Sequence, residues 1–284
     1  MIVGAHKAGT SSLAQYLDHH TSLTTHDQLE MTFFIRDEEY EKGYDRIFDS
    51  YFNDKGNRGI VFAKNVGVMY SEVALKRLHD HNPDCKLIIS LRNPVDRAYS
   101  NYWYSLSQGW ENEKTFEAAL SKEERRTREK EKFAHHNSYI DRGMYAKHIT
   151  QILKYFPSEQ LHIVLLDEIK ANPEKVIESI YRFIGIPQIG AKSGSKVHNK
   201  ATTPKSAKLA TLMAGGSIVS KAVKLVTPKR TRDLLRRKIQ SFNKTDFEPP
   251  KMKPETRELL IDKFESANKD LSKILGVSLN HWNK

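Results

Sequence analysis

The sequence predicts an α/β fold, a three-layer domain with a central parallel sheet flanked by helices. Short apolar runs alternate along the chain with segments of helical periodicity. The run at 86–91 has the composition of a fully buried strand, and a second run at 161–166 is separated from it by helical patterns. Strands that alternate with helices favour crossover connections, which make neighbouring strands parallel. We therefore expect a sheet of about four or five parallel strands.

Each element has its own local signal. Leu13 and Leu17 lie four residues apart on one face of the first predicted helix. Asn93 and Pro94 follow the run at 86–91, and they suit the N-cap and first residue of a helix. The patterns predict strands at 2–3, 60–62, 86–91 and 161–166, and helices at 11–19, 71–81, 115–132, 145–156 and 254–274.

Composition excludes several classes of protein. The chain has 284 residues, a net charge of +11, a hydrophobic fraction of 38% and one cysteine. A single cysteine excludes an internal disulfide and a thiolate-rich metal centre. The apolar runs reach about five or six residues, whereas a membrane-spanning helix needs roughly 20. We expect a soluble, cytoplasmic protein with no transmembrane segment.

The positive charge is concentrated in one region. The segment 191–253 contains 16 Lys and Arg against three acidic residues, so it carries +13 and the remainder of the chain about −2. Its glycines and small polar residues indicate loops with little core of their own. We predict one domain over 1–284 that contains this basic, loop-rich segment, which could contact an acceptor or close over a donor.

A candidate phosphate-binding loop lies between the first strand and the first helix. Its sequence runs from Gly4 to Leu13, and glycines there let successive amides face an anion at a helix N-terminus. Lys7 precedes Gly9, and Thr10 stands where a nucleoside-triphosphate loop has its lysine, which argues against an ordinary kinase or ATPase. The alternative is a glycine turn capped by Thr10.

A second motif follows the strand at 86–91. Arg92 stands at the carboxyl end of that strand, where ligands of open α/β sheets collect. Ser100 lies in the second turn of the following helix, so a guanidinium and a hydroxyl can converge on a terminal phosphate. Alternatively, Arg92 pairs with Asp96 and Ser100 is a small packing residue.

Together the two motifs resemble those of the sulfotransferase family that uses 3′-phosphoadenosine 5′-phosphosulfate (PAPS), in its carbohydrate, heparan-sulfate-like branch, as a soluble bacterial-type member. The resemblance covers roughly 2–185 and implies a P-loop-like fold. It also implies PAPS as sulfuryl donor, adenosine 3′,5′-bisphosphate (PAP) as product, and no required metal. The donor-binding residues that it implies are Lys7, Ala8, Gly9, Thr10, Ser11, Ser12, Arg92 and Ser100.

The same resemblance suggests the catalytic residues. Glu30 falls on the general base of the family's Glu-x-His-Phe-Phe stretch, although Thr32 replaces the histidine. Lys64 falls on the lysine of the Glu-Lys-Ser-Pro-x-Tyr segment, and Lys7 is expected at the leaving group. The alternatives are that Glu30 is a surface carboxylate and Lys64 an exposed lysine, with His26 as a rival base.

The acceptor is less defined by the sequence. We expect a carbohydrate, glycolipid or other hydroxylated molecule, possibly anionic, with an amine as the other nucleophile. Basic residues of the 191–253 segment could close over the donor, namely Lys196, Lys200 and Lys205. A P-loop nucleotide or small-molecule kinase is the alternative enzyme, and a nucleic-acid-binding protein is the alternative of another class, although we expect no nucleic acid as partner.

Overall fold

A computed structural model of the chain describes residues 1–26, 28–52, 59–131, 133–188, 202–204, 244–246 and 248–283. The strands are β1 (Ile2–Gly4), β2 (Leu23–Thr25), β3 (Ile60–Phe62), β4 (Leu87–Leu91), β5 (Leu161–Leu165), β6 (Thr202–Pro204) and β7 (Lys244–Asp246). The helices are α1 (Thr10–Leu17), α2 (Asp37–Tyr40), α3 (Tyr44–Phe52), α4 (Glu72–His81), α5 (Pro94–Gln108), α6 (Phe116–Arg128), α7 (Tyr145–Ile152), α8 (Leu166–Ala171), α9 (Pro173–Ile184) and α10 (Pro254–Leu275).

Two compact units make up the chain. The first unit comprises Met1–Asn93, Met144–Val197 and Ala267–Leu279. The second unit comprises Pro94–Gly143, His198–Ser266 and Asn280–Lys284. The prediction of one domain over 1–284 stays a prediction, and most of the basic 191–253 segment lies outside the described residues.

Parallel strands form the centre of the first unit. One sheet has the order β1-β4-β5, and β2 pairs with β3 in a second, also parallel. A bridge between Ile2 and Lys64 joins the two, with Ile2 N–H donating to Ala63 O at 2.9 Å. The carboxyl end of β3 therefore runs beside β1. The predicted α/β class with a parallel sheet is confirmed.

A hydrophobic core forms between this sheet and three helices. Leu13 and Leu17 of α1 are fully buried, as the four-residue spacing predicts, and they pack with Ile177 and Ile180 of α9. Ile88, from the centre of β4, joins the same cluster. Burying each such aliphatic side chain contributes roughly 1.5–3 kcal/mol, so the helix that begins at the candidate phosphate loop is firmly anchored.

The second unit contains α5, α6 and the antiparallel pair β6 and β7. Its interior holds a buried ion pair in which Arg126 donates to both carboxylate oxygens of Glu111 at 2.6 and 2.8 Å. The Glu123 carboxylate accepts hydrogen bonds from the backbone N–H groups of Tyr139, Ile140 and Asp141. These bonds fix the backbone of that three-residue segment.

Several predicted boundaries differ from the structure. The helix predicted at 145–156 ends at Ile152, because a turn follows it, and the one predicted at 115–132 ends at Arg128. Helix α5 begins at Pro94, as the Asn-Pro pair predicts. Strand β2 was not predicted, because its three residues Leu23–Thr25 are too few for a periodic signal.

Candidate active site

The candidate phosphate loop has the geometry of an anion site. Gly9 is the N-cap of α1 and adopts φ +81°. Because glycine has no side chain, the first-turn amides receive no side-chain cap from this residue. The first intrahelical bond runs from Leu13 N–H to Gly9 O at 3.1 Å, so the amides of the first turn lie at the N-terminal end of the helix. Those amides and the helix dipole favour an anion in front of α1.

Glycine is required at position 9 for two reasons. A left-handed φ suits glycine, and a Cβ there would lie 2.6 Å from Leu166 Cδ1. Thr10, Ser11 and Ser12 form the first turn of α1, and their contact with the donor, which the family resemblance implies, stays a prediction. Because the N-cap is Gly9, the alternative in which Thr10 caps the turn does not match the structure.

Strand β4 is hydrogen-bonded to the candidate phosphate loop. Ala5 N–H donates to Ser90 O at 2.7 Å, and Ser90 Oγ donates to Ala8 O at 2.5 Å. Arg92 Nη1 donates to Lys7 O at 3.4 Å. The structure therefore brings the two predicted donor motifs together within the first unit, at Lys7 and Arg92. Ser90 was not among the predicted site residues, although its place in an otherwise apolar strand was a signal.

Glu30 and Lys64 are in direct contact. Lys64 Nζ donates to Glu30 Oε1, and Val66 N–H donates to Glu30 Oε2 at 3.0 Å. Lys64 is only 4% exposed, so the alternative of an exposed lysine is wrong. Burial raises the pKa of the Glu30 carboxyl, and the positive charge of Lys64 opposes that rise. A carboxylate with a raised pKa beside a buried cation has the properties of a general base.

Backbone pairing explains how two residues 34 positions apart meet. Strands β2 and β3 run parallel, so the chain leaves both at the same edge of the sheet. Beyond that edge, Met31 N–H donates to Lys64 O at 2.8 Å, and Asn65 Nδ2 donates to Met31 O at 2.8 Å. Asn65 N–H also donates to Ile2 O at 2.9 Å, which carries Lys64 to the base of the phosphate loop.

His26, the rival base, has a different environment. Its Nε2 accepts a hydrogen bond from the backbone N–H of Lys64 at 2.9 Å. Accepting that bond requires the neutral tautomer with its proton on Nδ1. The nitrogen lone pair that would take a proton from an acceptor is therefore already engaged, and the geometry favours Glu30 as the base.

Thr32 is part of a buried polar cluster. Its hydroxyl donates to Glu39 Oε2 at 2.9 Å and lies 3.0 Å from the Tyr51 hydroxyl, which also donates to Glu39. Burial, followed by the Glu39 hydrogen bond, raises the pKa of Tyr51 to about 12. This cluster fixes the segment that carries Glu30. Neither Glu39 nor Tyr51 was among the predicted site residues.

The remaining predictions concern Ser100, the partner of Arg92, and three lysines of the basic segment. Ser100 lies in α5 of the second unit and is half-buried, so its role stays a prediction. Asp96, the predicted alternative partner of Arg92, accepts from Arg257 Nη1 at 2.9 Å. Lys196, Lys200 and Lys205 lie outside the described residues.

In the part of the chain that the structure describes, no group of three or more His, Cys, Asp and Glu side chains is arranged to hold a metal ion. In the same part of the chain, no helix combines the length and the apolar character needed to cross a membrane.

Comparison with protein families identifies this arrangement. The family model described as "Sulfotransferase domain" matches residues 1–206. The chain therefore belongs to the sulfotransferase domain family. That match includes the phosphate loop, Glu30, Lys64 and the Arg92 motif, so the family predicted from the motifs is confirmed and the protein belongs to an enzyme class.

Individual relatives come from the heparan sulfate enzymes. The chain is 31% identical over 193 residues to human "Bifunctional heparan sulfate N-deacetylase/N-sulfotransferase 2", covering 66% of this chain and 22% of that protein. It is 29% identical over 195 residues to mouse "Heparan sulfate glucosamine 3-O-sulfotransferase 5", covering 66% and 53%. The chain thus spans about a fifth to a half of the length of these relatives.

A solved structure supports the fold. The crystal structure of a sulfotransferase from Alicyclobacillus acidocaldarius superposes with a TM-score of 0.69 at 24% sequence identity. The match covers 100% of this chain and 97% of the other. The P-loop-like sulfotransferase fold predicted from the sequence is confirmed.

Proposed function

We propose that this sulfotransferase-family protein transfers a sulfuryl group from PAPS to a hydroxyl or amine of a carbohydrate or glycolipid acceptor. The observation that carries the proposal is the contact between Glu30 and buried Lys64, in the same compact unit as a phosphate loop that lacks the nucleoside-triphosphate lysine position. A base and a cation beside an anion site are what sulfuryl transfer requires.

The donor fits the residues present. The amides at the start of α1 suit the 5′-phosphosulfate, since a helix N-terminus presents N–H groups and a positive dipole end to an anion. Arg92, beside the same loop, suits the 3′-phosphate, because a guanidinium binds phosphate oxygens through paired hydrogen bonds. Ser100 is the second group that the motif assigns to the 3′-phosphate.

The reaction is an in-line displacement. The acceptor oxygen or nitrogen attacks sulfur, the bond between sulfur and the 5′-phosphate oxygen breaks, and PAP leaves. Glu30 takes the proton of the acceptor, while Lys7 stabilises the charge that develops on the leaving oxygen. Lys64 stabilises the ionised form of Glu30 and supplies positive charge near the sulfonate.

The acceptor class comes from the relatives. Both curated relatives are named as heparan sulfate enzymes, one acting as an N-sulfotransferase and the other as a glucosamine 3-O-sulfotransferase. A carbohydrate is therefore the acceptor class that the comparisons favour. One name specifies sulfation of nitrogen and the other sulfation of oxygen. The proposal therefore includes both an amine and a hydroxyl as the acceptor nucleophile.

Ligand-induced stabilisation tests the donor directly. PAP is expected to raise Tm, because a ligand that binds only the folded state stabilises it by an amount that grows with the logarithm of ligand concentration relative to Kd. ATP with Mg²⁺ is expected to produce a much smaller shift, since the lysine and hydroxyl order of a nucleoside-triphosphate loop is absent from 4–13. A larger shift with ATP and Mg²⁺ than with PAP would favour the kinase alternative.

Arg92→Ala is expected to weaken PAP binding by about ten- to a hundredfold, because hydrogen bonds to a charged group each contribute roughly 1.5–3 kcal/mol. The KM for PAPS should rise more than kcat falls. Titration calorimetry measures the first effect and steady-state kinetics the second. Arg182→Ala, which removes an exposed arginine of α9 in the same unit, is the control and should leave both unchanged. Normal PAP affinity in Arg92→Ala would contradict the assignment.

A further inference from the structure

We propose that helix α7 is a brace that holds both phosphate-binding ends of the donor site. Its Tyr145 fixes the backbone at Arg92, and its His148 supports Tyr70, which in turn fixes an amide of the phosphate loop. These three aromatic side chains act as positioning residues for the donor and do not touch it. The inference rests on the proposed donor site at Lys7 and Arg92.

The first half of the brace is a hydrogen bond to β4. The Tyr145 hydroxyl donates to the backbone oxygen of Arg92 at 2.8 Å, and Tyr145 is only 1% exposed. Arg92 follows the last residue of β4, where sheet pairing no longer fixes the chain. The bond from Tyr145 thus sets the peptide plane from which the Arg92 guanidinium extends toward Lys7 O.

The second half of the brace reaches the phosphate loop through Tyr70. The His6 N–H donates to the Tyr70 hydroxyl at 3.3 Å, and His6 directly precedes Lys7. The neighbouring Met69 packs so closely on Gly4 that a Cβ there would lie 2.3 Å from its sulfur. The turn that contains Met69 and Tyr70 therefore packs directly against the phosphate loop. The Tyr70 hydroxyl orients one amide of that loop, the N–H of His6.

Helix geometry links the two halves. Tyr145 and His148 lie three residues apart, which places them on the same face of α7. The His148 ring meets the Tyr70 ring edge-on, with centroids 4.8 Å apart and an interplanar angle of 88°. His148 is 3% exposed, and Ile149 and Ile152 anchor the helix in the core. One buried helix thus restrains the 3′-phosphate residue and the 5′-phosphate loop together.

Single hydroxyl deletions should separate the two ends. Tyr145→Phe is expected to weaken adenosine 3′-monophosphate binding roughly three- to tenfold, the effect of one lost hydrogen bond, and to leave adenosine 5′-monophosphate binding unchanged. Tyr70→Phe is expected to show the reverse, because only the loop amide loses its partner. Each variant should weaken PAP by the same factor as its affected monophosphate. Titration calorimetry with the full chain measures all three ligands.

Tyr155→Phe is the matched control, since it removes an exposed tyrosine hydroxyl that contacts Glu72 in the same unit. It should bind all three ligands as the wild type does. A Tm for each variant shows that the fold is retained, and if Tyr145→Phe is unstable the Tyr70→Phe arm decides alone. Equal weakening of both monophosphates, or no weakening, would overturn the brace. A wild-type protein that does not bind PAP would instead refute the proposed function itself.

Discussion

Lys7→Ala is expected to lower kcat by about two to three orders of magnitude, the loss typical for removal of one group that stabilises developing charge. Lys7 lies in the loop two residues before Gly9, the N-cap of α1, and Arg92 Nη1 donates to its carbonyl oxygen at 3.4 Å. Charge grows on the leaving oxygen mainly in the transition state, so kcat should fall much more than PAP affinity. Steady-state kinetics and PAP titration on the same preparations measure the two effects.

Backbone conformation provides a matched control for Lys7. The residue adopts φ +67°, a left-handed conformation that is strained for any residue with a Cβ. Lys7→Gly removes the same amine as Lys7→Ala but relieves this strain, so it should be more stable by about 1 kcal/mol. Both variants are expected to lose the same factor in kcat if the amine is responsible.

A second control addresses charge alone. Lys42→Ala removes an exposed lysine of the first unit and should leave kcat within about twofold, as expected for a solvated surface charge. If Lys7→Gly recovers most of the activity lost in Lys7→Ala, the loss came from the loop backbone, and the assignment of Lys7 to the leaving group would be wrong.

Local signals predicted the parts of the fold that local chemistry determines. Pro94 begins α5 because its fixed φ and missing N–H suit the first helical position. Ser71 caps α4 by accepting from Ala74 N–H at 3.2 Å, and the predicted range 71–81 matches the helix at 72–81. The candidate phosphate loop has a local signal of the same kind, because its glycine and hydroxyl residues are contiguous in sequence.

Long-range pairing explains what the sequence did not predict. Strand β2 exists because Leu23 and Thr25 pair with Ile60 and Phe62, and nothing within three residues encodes that partner. The same pairing brings Glu30 to Lys64, so the motifs predicted each residue separately but not their contact. The burial of Glu39 and Tyr51 also depends on tertiary packing. In the sequence, Glu39 is one of several acidic residues in its segment and Tyr51 is one of many aromatic residues, so neither has a distinguishing local signal.

The hydroxyl of Thr32 has a structural role at the position where the family motif has a histidine. The sequence shows only that a hydroxyl replaces the histidine of the family stretch. In the structure that hydroxyl donates to Glu39 at 2.9 Å and lies beside Tyr51, so it supports the Glu30 segment from within the protein. Glu30 itself contacts Lys64 and the amide of Val66, so Thr32 acts on the proposed base through the backbone segment and not through a direct contact.

Glu30→Gln is expected to lower kcat by about two to four orders of magnitude, the range for loss of a general base. Glutamine keeps the shape and the acceptor for Val66 N–H but cannot take a proton. Glu38→Gln removes an exposed carboxylate eight residues away and should leave kcat within about twofold. An equal loss in both variants would show that net charge, and not the base, is responsible.

The pH profile gives a sharper test of Glu30. A base must be ionised, and burial raises the pKa of Glu30 above the ordinary value of 4.5, so the wild-type acid limb should lie above that pH. The charge of Lys64 opposes the rise, so Lys64→Met should move the limb to still higher pH while it lowers the rate. The position of the limb and its height are independent measurements. A limb that stays in place or moves to lower pH in Lys64→Met would mean that another group is the base, because removing an adjacent positive charge can only disfavour the ionised carboxylate.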